Sequence, residues 1–235
     1  MPIFQYDRVI LERYPGIVGG VMHATGVTNG PTPPALAEAF RATQAEVVAH
    51  IGATPLSEIP ALAAWRRAFR AFGVDPTQYR SAAEALLRRL TKQGELPSIG
   101  TFVDLANLVS IRHALPVAVF DLRSIDGGLT VRFARGDEPW SDLGSSTTDR
   151  PAQGEVIFAD EADVVMARRW CWRQSAESAA RDDSTDVLIT VEGHHEGAAD
   201  DVLLALDELE GLVRAYTAPG AISRAILASS EPSFD

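Results

Sequence analysis

Cysteine is nearly absent: Cys171 stands alone in 235 residues. An internal disulfide is therefore excluded, which fits a reducing compartment. Long apolar runs are missing as well, and no stretch approaches the roughly 18 unbroken apolar residues of a membrane span. Asp7 and Arg8 fall where a signal peptide would carry its apolar run, so a cytoplasmic location is expected. GxSxG, GxxxxGK[ST], GxGxxG and HExxH do not occur. Their absence removes the common nucleophile-elbow, nucleotide-binding and zinc-protease readings. His194-His195 is the only histidine pair, and adjacent strand residues point to opposite faces. Without closely spaced Cys and His ligands, neither a metal nor a cofactor is expected.

What is present describes a globular chain, with 46% hydrophobic and 23% charged residues. The net charge of −11 repels polyanions at long range, so wholesale coating of DNA is not expected, nor is a membrane partner. One segment runs against this balance. Between Trp65 and Lys92, Arg66, Arg67, Arg70, Arg80, Arg88, Arg89 and Lys92 face only Asp75 and Glu84, a local excess of 7 − 2 = 5 positive charges. Such a run is either a pair of solvated helix faces or a docking patch for phosphates.

The pattern along the chain predicts helices first and strands later. Residues 3–27 read as one or two strands around Tyr14-Pro15-Gly16, and 36–51 as a helix. Pro60 opens a second helix, striped by Leu62, Trp65, Phe69 and Phe72 and ended by Gly73. Ser81-Ala82-Ala83-Glu84 is a capping box for a third, whose Arg88, Arg89 and Lys92 fall off the apolar face. A fourth, from Thr101 to His113, is apolar on most sides and should be buried. Short β-branched strands follow over 117–122, 129–134, 155–159, 164–167 and 187–191, then a helix over 201–215 and a frayed tail from Ala228. The expected class is α+β: a mixed, largely antiparallel sheet or partly open barrel with packed helices.

The run from Pro97 to Arg132, PSIGTFVDLANLVSIRHALPVAVFDLRSIDGGLTVR, carries the most specific signal. It resembles the central editing domain of the phenylalanyl-tRNA synthetase beta subunit, its B three/four domain. Val103, Asp104 and Asn107 match that family's V-D-x-x-N, and Pro116, Phe120 and Asp121 match its P-x-x-x-F-D. Gly136-Asp137-Glu138 continues the likeness. Residues 156–160, 164–167 and 184–192 resemble the later strands, and the whole likeness spans roughly Trp65 to Gly193. On this reading residues 1–60 are strands and a helix packed on the core, 61–217 the editing-like domain, and 218–235 a tail.

The resemblance implies a freestanding, trans-acting hydrolase that deacylates mischarged aminoacyl-tRNA. A second site of this kind is needed because pockets discriminate poorly between similar side chains. The partner would be the acceptor end of tRNA or aminoacyl-tRNA, held by Arg66, Arg67, Arg70, Arg88, Arg89 and Lys92. Glu192 stands where the family has its specificity glutamate, and is expected to orient substrate or water at a cavity. Asn107, Ala118, Phe120, Trp172, Arg173 and Thr185 are the expected substrate-binding residues. Asp104 and Asn107 also read as a pair that merely bonds a helix to the sheet. Two departures stand out. Ala118 replaces the family's histidine, and Arg169-Trp170-Cys171-Trp172-Arg173 replaces its G-V-M-G-G run, so the pocket should be remodelled. Cys171, flanked by arginines, also reads as an activated thiol. Two other functions stay open: a non-catalytic tRNA or amino-acid binding module, and a hydrolase of a small amino-acid derivative.

Overall fold

The computed structural model describes residues 2–142 and 150–235. The chain begins with β1 (Phe4–Tyr6), α1 (Arg8–Arg13), β2 (Val18–Thr25) and α2 (Pro34–Ile51). Then come α3 (Pro60–Ala71), α4 (Ala82–Gln93) and α5 (Thr101–His113). The strands β3 (Val117–Asp121), β4 (Leu129–Phe133), β5 (Val156–Ala159), β6 (Val165–Arg168), β7 (Arg173–Gln174) and β8 (Asp186–Gly193) follow. It closes with α6 (Ala198–Tyr216), β9 (Ala221–Leu227) and β10 (Ser233–Phe234).

The class is the α+β arrangement expected, but the strands divide into two sheets rather than one, and neither is a closed barrel. The first has the order β10-β1-β4-β5-β6-β7 and the second β3-β8-β2-β9. The β1–β4 pair is parallel, and the other pairings are antiparallel. The four-stranded sheet is the middle layer. Met22, Ala24, Val187, Ile189 and Val191 face helices α2, α4, α5 and α6 through Phe40, Leu87, Phe102, Leu105 and Leu206. The opposite face presents Val21, Phe120 and Leu188 to Phe4, Tyr6, Leu129, Phe158 and Met166 of the other sheet. β8 is thus buried on both faces, which is why Val187 to Val191 reads as an almost continuous apolar run.

Two glycines let these layers close. A Cβ on Gly20 would lie 2.8 Å from Val191 Cγ1 and 2.9 Å from Val202 Cγ1, so its absence lets α6 sit directly on β2. A Cβ on Gly19 would collide with Tyr6 Oη. That gap is where the Tyr6 phenol reaches across the seam to the four-stranded sheet.

The termini depart from the sequence reading. β2 is not merely packed on the core but lies inside the sheet, between β8 and β9. Residues 218–235 are no tail: β9 borders the four-stranded sheet, and β10 pairs Phe234 with Phe4. Both strands are specified by partners some 200 residues away in sequence (Gly19 with Leu227, Phe4 with Phe234), which local patterning does not register.

Candidate functional site: a seam cavity opening beside a basic groove

Alternation along β8 places Thr190 and Glu192 on the same face as Leu188, toward the six-stranded sheet. On β3 the same rule turns Ala118 and Phe120 into the seam, and Ala118 lies in register with Thr190. Between the sheets lies a cavity of about 90 Å³, lined by Ala118, Phe120, Phe158, Trp170, Cys171, Trp172, Arg173 and Thr190, among others. Phe120 and Phe158 stack with centroids 5.5 Å apart. The wall opposite is the turn after β6, where Arg169 and Trp170 hold positive φ values of 45° and 58°. This is a conformation glycine adopts freely and other residues seldom do. It falls where the resemblance puts a glycine-rich run. The Ala82 N–H ties the start of α4 to this turn, through the Cys171 carbonyl at 2.8 Å.

Trp172 and Arg173 also line a second opening, a groove of about 450 Å³ bounded by Gln78, Arg80, Arg88, Arg89 and Lys92. The Arg169 guanidinium lies 3.8 Å from the Tyr79 ring centroid and 4.5 Å from that of Trp172. Arg173 lies 4.6 Å over Trp172 and pairs with Asp142 at 2.7 Å. An apolar chamber therefore opens beside a cationic trough, with Trp172 and Arg173 as their common rim.

Glu192 is not on that cavity, contrary to expectation. It lies behind the Trp170 wall, 2% exposed. One carboxylate oxygen accepts from Tyr6 Oη at 2.7 Å and from Trp170 Nε1 at 3.0 Å. Its backbone carbonyl receives the Trp65 indole N–H at 3.4 Å. Burial pushes its pKa up to about 7, against the lowering effect of the Trp170 and Tyr6 hydrogen bonds. Glu192 thus fixes the indole that forms the wall. Cys171 does line the cavity, but burial and the nearby Glu192 charge push its thiol well above its ordinary value. The arginines beside it in sequence turn elsewhere, so the activated-thiol reading loses its basis.

A family model described as the B3/4 domain matches residues 64–202, more than half of the chain. The chain belongs to the B3/4 domain family. Curated relatives are phenylalanine–tRNA ligase beta subunits. That of Chromobacterium violaceum is 36% identical over 82 residues, 35% of this chain and 10% of the relative. That of Cupriavidus pinatubonensis is 37% identical over 86 residues, 36% of this chain and 10% of the relative. That of Vibrio cholerae is 29% identical over 119 residues, 51% of this chain and 13% of the relative. The chain spans about a tenth of the length of these relatives. A solved N-terminal fragment of the phenylalanyl-tRNA synthetase beta subunit from Pyrococcus horikoshii is 11% identical, with a TM-score of 0.42 over 88% of this chain and 48% of that one.

Within this B3/4 domain the other expected residues scatter. Asn107 lines a cavity of about 220 Å³ on the α5 side of β3, which shares Val117, Ala118 and Gln174 with the seam cavity. Thr185 is exposed just before β8, at the end away from Glu192, and its carbonyl accepts from Val27 N–H at 3.1 Å. It does not reach the cavity; Thr190, five residues on, does. Asp104 is wholly buried and accepts from Thr32 Oγ1 at 2.6 Å, from the Ile99 N–H at 2.9 Å and from Ser98 Oγ. It pins two loops to α5 and serves the fold. Of the six basic residues, Arg88, Arg89 and Lys92 share the groove. Arg66 is held by the buried Glu84 at 2.5 Å. Arg67 borders a different pocket beside Tyr14 and His194, and Arg70 is exposed near the C-terminal end of α3.

His194 sits in an aromatic box, 4.5 Å from the Trp65 ring and 4.8 Å from Trp170. Burial lowers its pKa to about 3, with help from His195 and Arg67. His195 pairs with Asp201 at 2.7 Å. Among the described residues no group of three His, Cys, Asp or Glu side chains is placed to hold a metal ion. No helix among them is long and apolar enough to cross a membrane. A cavity of about 530 Å³ between the C-terminal ends of α2 and α5 shares no lining residue with the chamber or the groove.

Proposed function

We propose that this B3/4 domain binds the aminoacylated end of a tRNA and hydrolyses the ester that joins amino acid to ribose. The observation that carries this reading is the shared rim: Trp172 and Arg173 belong both to the apolar chamber and to the cationic groove. A 3′ terminus needs both, since phosphates favour the groove electrostatically and a side chain is sheltered by rings. In the reaction, water attacks the ester carbonyl carbon, and the bond from that carbon to the ribose oxygen breaks. The displaced oxygen takes a proton from the attacking water, leaving a free amino acid and a tRNA hydroxyl. Cys171 and Glu192 are assigned no bond-making role, the first because its thiol stays protonated, the second because it faces Trp170. Positioning of water and ester supplies the rate gain.

Single-turnover deacylation with a panel of mischarged tRNAs tests this. Release of amino acid well above the spontaneous rate is expected, and persistence of that release in Cys171→Ser. A second reading, a non-catalytic binding module, is favoured by Ala118 and by the withdrawal of Glu192 from the cavity. Tight tRNA binding with no release on any member of the panel decides for it.

A further inference from the structure

The chamber is small, and its aromatic walls are held in place. Its volume is about 90 Å³, whereas a cavity of roughly 150 Å³ is what holds a benzene ring. Phe120 and Phe158 are 0% and 2% exposed and stacked on each other. Trp170 is fully buried, its indole N–H held by Glu192, on a turn fixed at positive φ. Trp172 is clasped by Tyr79, Arg169 and Arg173. Widening the chamber on its aromatic side for a six-membered ring would require displacing at least one of these groups, and on the strand side Val117, Ala118 and Gln174 separate it from the neighbouring cavity. Thr190, in register with Ala118 on the neighbouring strand, adds a residue with a hydroxyl to an otherwise mostly apolar lining.

Resting on the proposed aminoacyl-tRNA reading, we infer that the chamber is a steric sieve for small amino-acid side chains, of up to about four heavy atoms. Alanyl, seryl, threonyl and valyl groups fit, and phenylalanyl and tyrosyl groups do not. Trp172 sets the limit at the mouth and Ala118 on the strand side. The small Ala118 side chain leaves space that even a modest group there would take.

The test separates recognition from hydrolysis. tRNAs carrying alanine, threonine, valine, phenylalanine or tyrosine through a hydrolysis-resistant 3′-amide are titrated against the protein. The corresponding esters are assayed for deacylation. The small-side-chain amides are expected to bind at least about tenfold tighter than the aromatic ones. Trp172→Ala should shrink that ratio to a few-fold by admitting the rings. Ala118→Val should weaken the valyl amide more than the alanyl amide, a graded steric effect that a misfolded variant does not produce. Preference for small amides without hydrolysis of any ester supports the sieve and removes the deacylase reading. Equal or tighter binding of the aromatic amides, or binding of none, overturns the sieve. Deacylation of phenylalanyl or tyrosyl esters faster than the small ones also overturns it, while leaving the deacylase reading intact.

Discussion

Glu192 accepts the indole N–H of Trp170 across the seam between the two sheets, at 3.0 Å. The carboxyl therefore shapes the cavity through its wall, and its titration is tied to folding.

That link sets a pH dependence. Glu192 moves from 4.5 to about 7 on folding, so its contribution to stability is full below pH 4.5 and is lost as pH rises toward 7. His194 moves from 6.5 to about 3, so its contribution is full above pH 6.5 and is lost as pH falls toward 3. Between pH 4.5 and 6.5 the two slopes oppose each other. Removing one exposes the other. Relative to wild type, Glu192→Gln should gain a rising slope in that window of about 1.4 kcal/mol per pH unit. Chemical denaturation at closely spaced pH values checks this, and parallel profiles for the two proteins would contradict it.

Gly19→Ala drives a methyl into the space of the Tyr6 hydroxyl and should cost about 1–3 kcal/mol, as overpacking does. Because the phenol is then pushed off Glu192, its carboxyl should titrate higher still. The carboxyl carbon shift followed by NMR against pH reads this directly. Gly73→Ala, at a positive φ with open space around it, should lower stability without moving that titration.

The basic residues should divide by what holds them. Arg88→Glu with Arg89→Glu should weaken tRNA binding and reduce the salt slope of log K by about two phosphate contacts' worth. Thermal stability should barely change. Arg66→Ala leaves the buried Glu84 with only the more distant Arg80 at 3.7 Å. It should cost about 1–2 kcal/mol, with little change in the salt slope. Identical salt slopes for the Arg88/Arg89 variant and wild type would remove the groove as the RNA path.

Asp104 and Asn107 sit one turn apart on α5 but differ in duty. Asp104→Ala abandons three donors from two loops and should cost about 2–4 kcal/mol in urea denaturation. Asn107→Ala, on a cavity wall, should cost under about 1 kcal/mol. A reversed order would mean that the packing of α5 depends on Asn107.

The helices were readable because their signals are local. Ser81 caps α4 by accepting the Glu84 N–H at 3.3 Å, and α5 runs from Thr101 to His113 as its apolar surround implied. Ala118, Phe120, Trp172 and Arg173 were readable as neighbours because the resemblance aligned them and strand alternation faces the first two alike. Thr190 was within reach by the same rule, lying two residues before Glu192. Tyr6 was not, since nothing near it in sequence says that Gly19 leaves room for its phenol. Alternation along β8 puts Glu192 on the seam face, but its carboxyl is claimed by Trp170, a contact that depends on a turn held at positive φ by non-glycine residues. The outward position of Thr185 and the pairing of Arg66 with Glu84 are likewise tertiary facts that nothing near them in sequence announces.

The position of β2 bears on how the chain folds as it is made. Residues 18–25 lie between β8 and β9, so this early strand has neither neighbour until residues 186–193 and 221–227 exist. During synthesis at roughly 5–20 residues per second, the unpaired backbone edges of β2 wait on the order of ten seconds or more for partners. α2 to α5, built from local contacts, can form meanwhile. Ribosome-bound chains halted before residue 186 should therefore be helical, sticky and dependent on chaperones, and release past residue 227 should end that state abruptly.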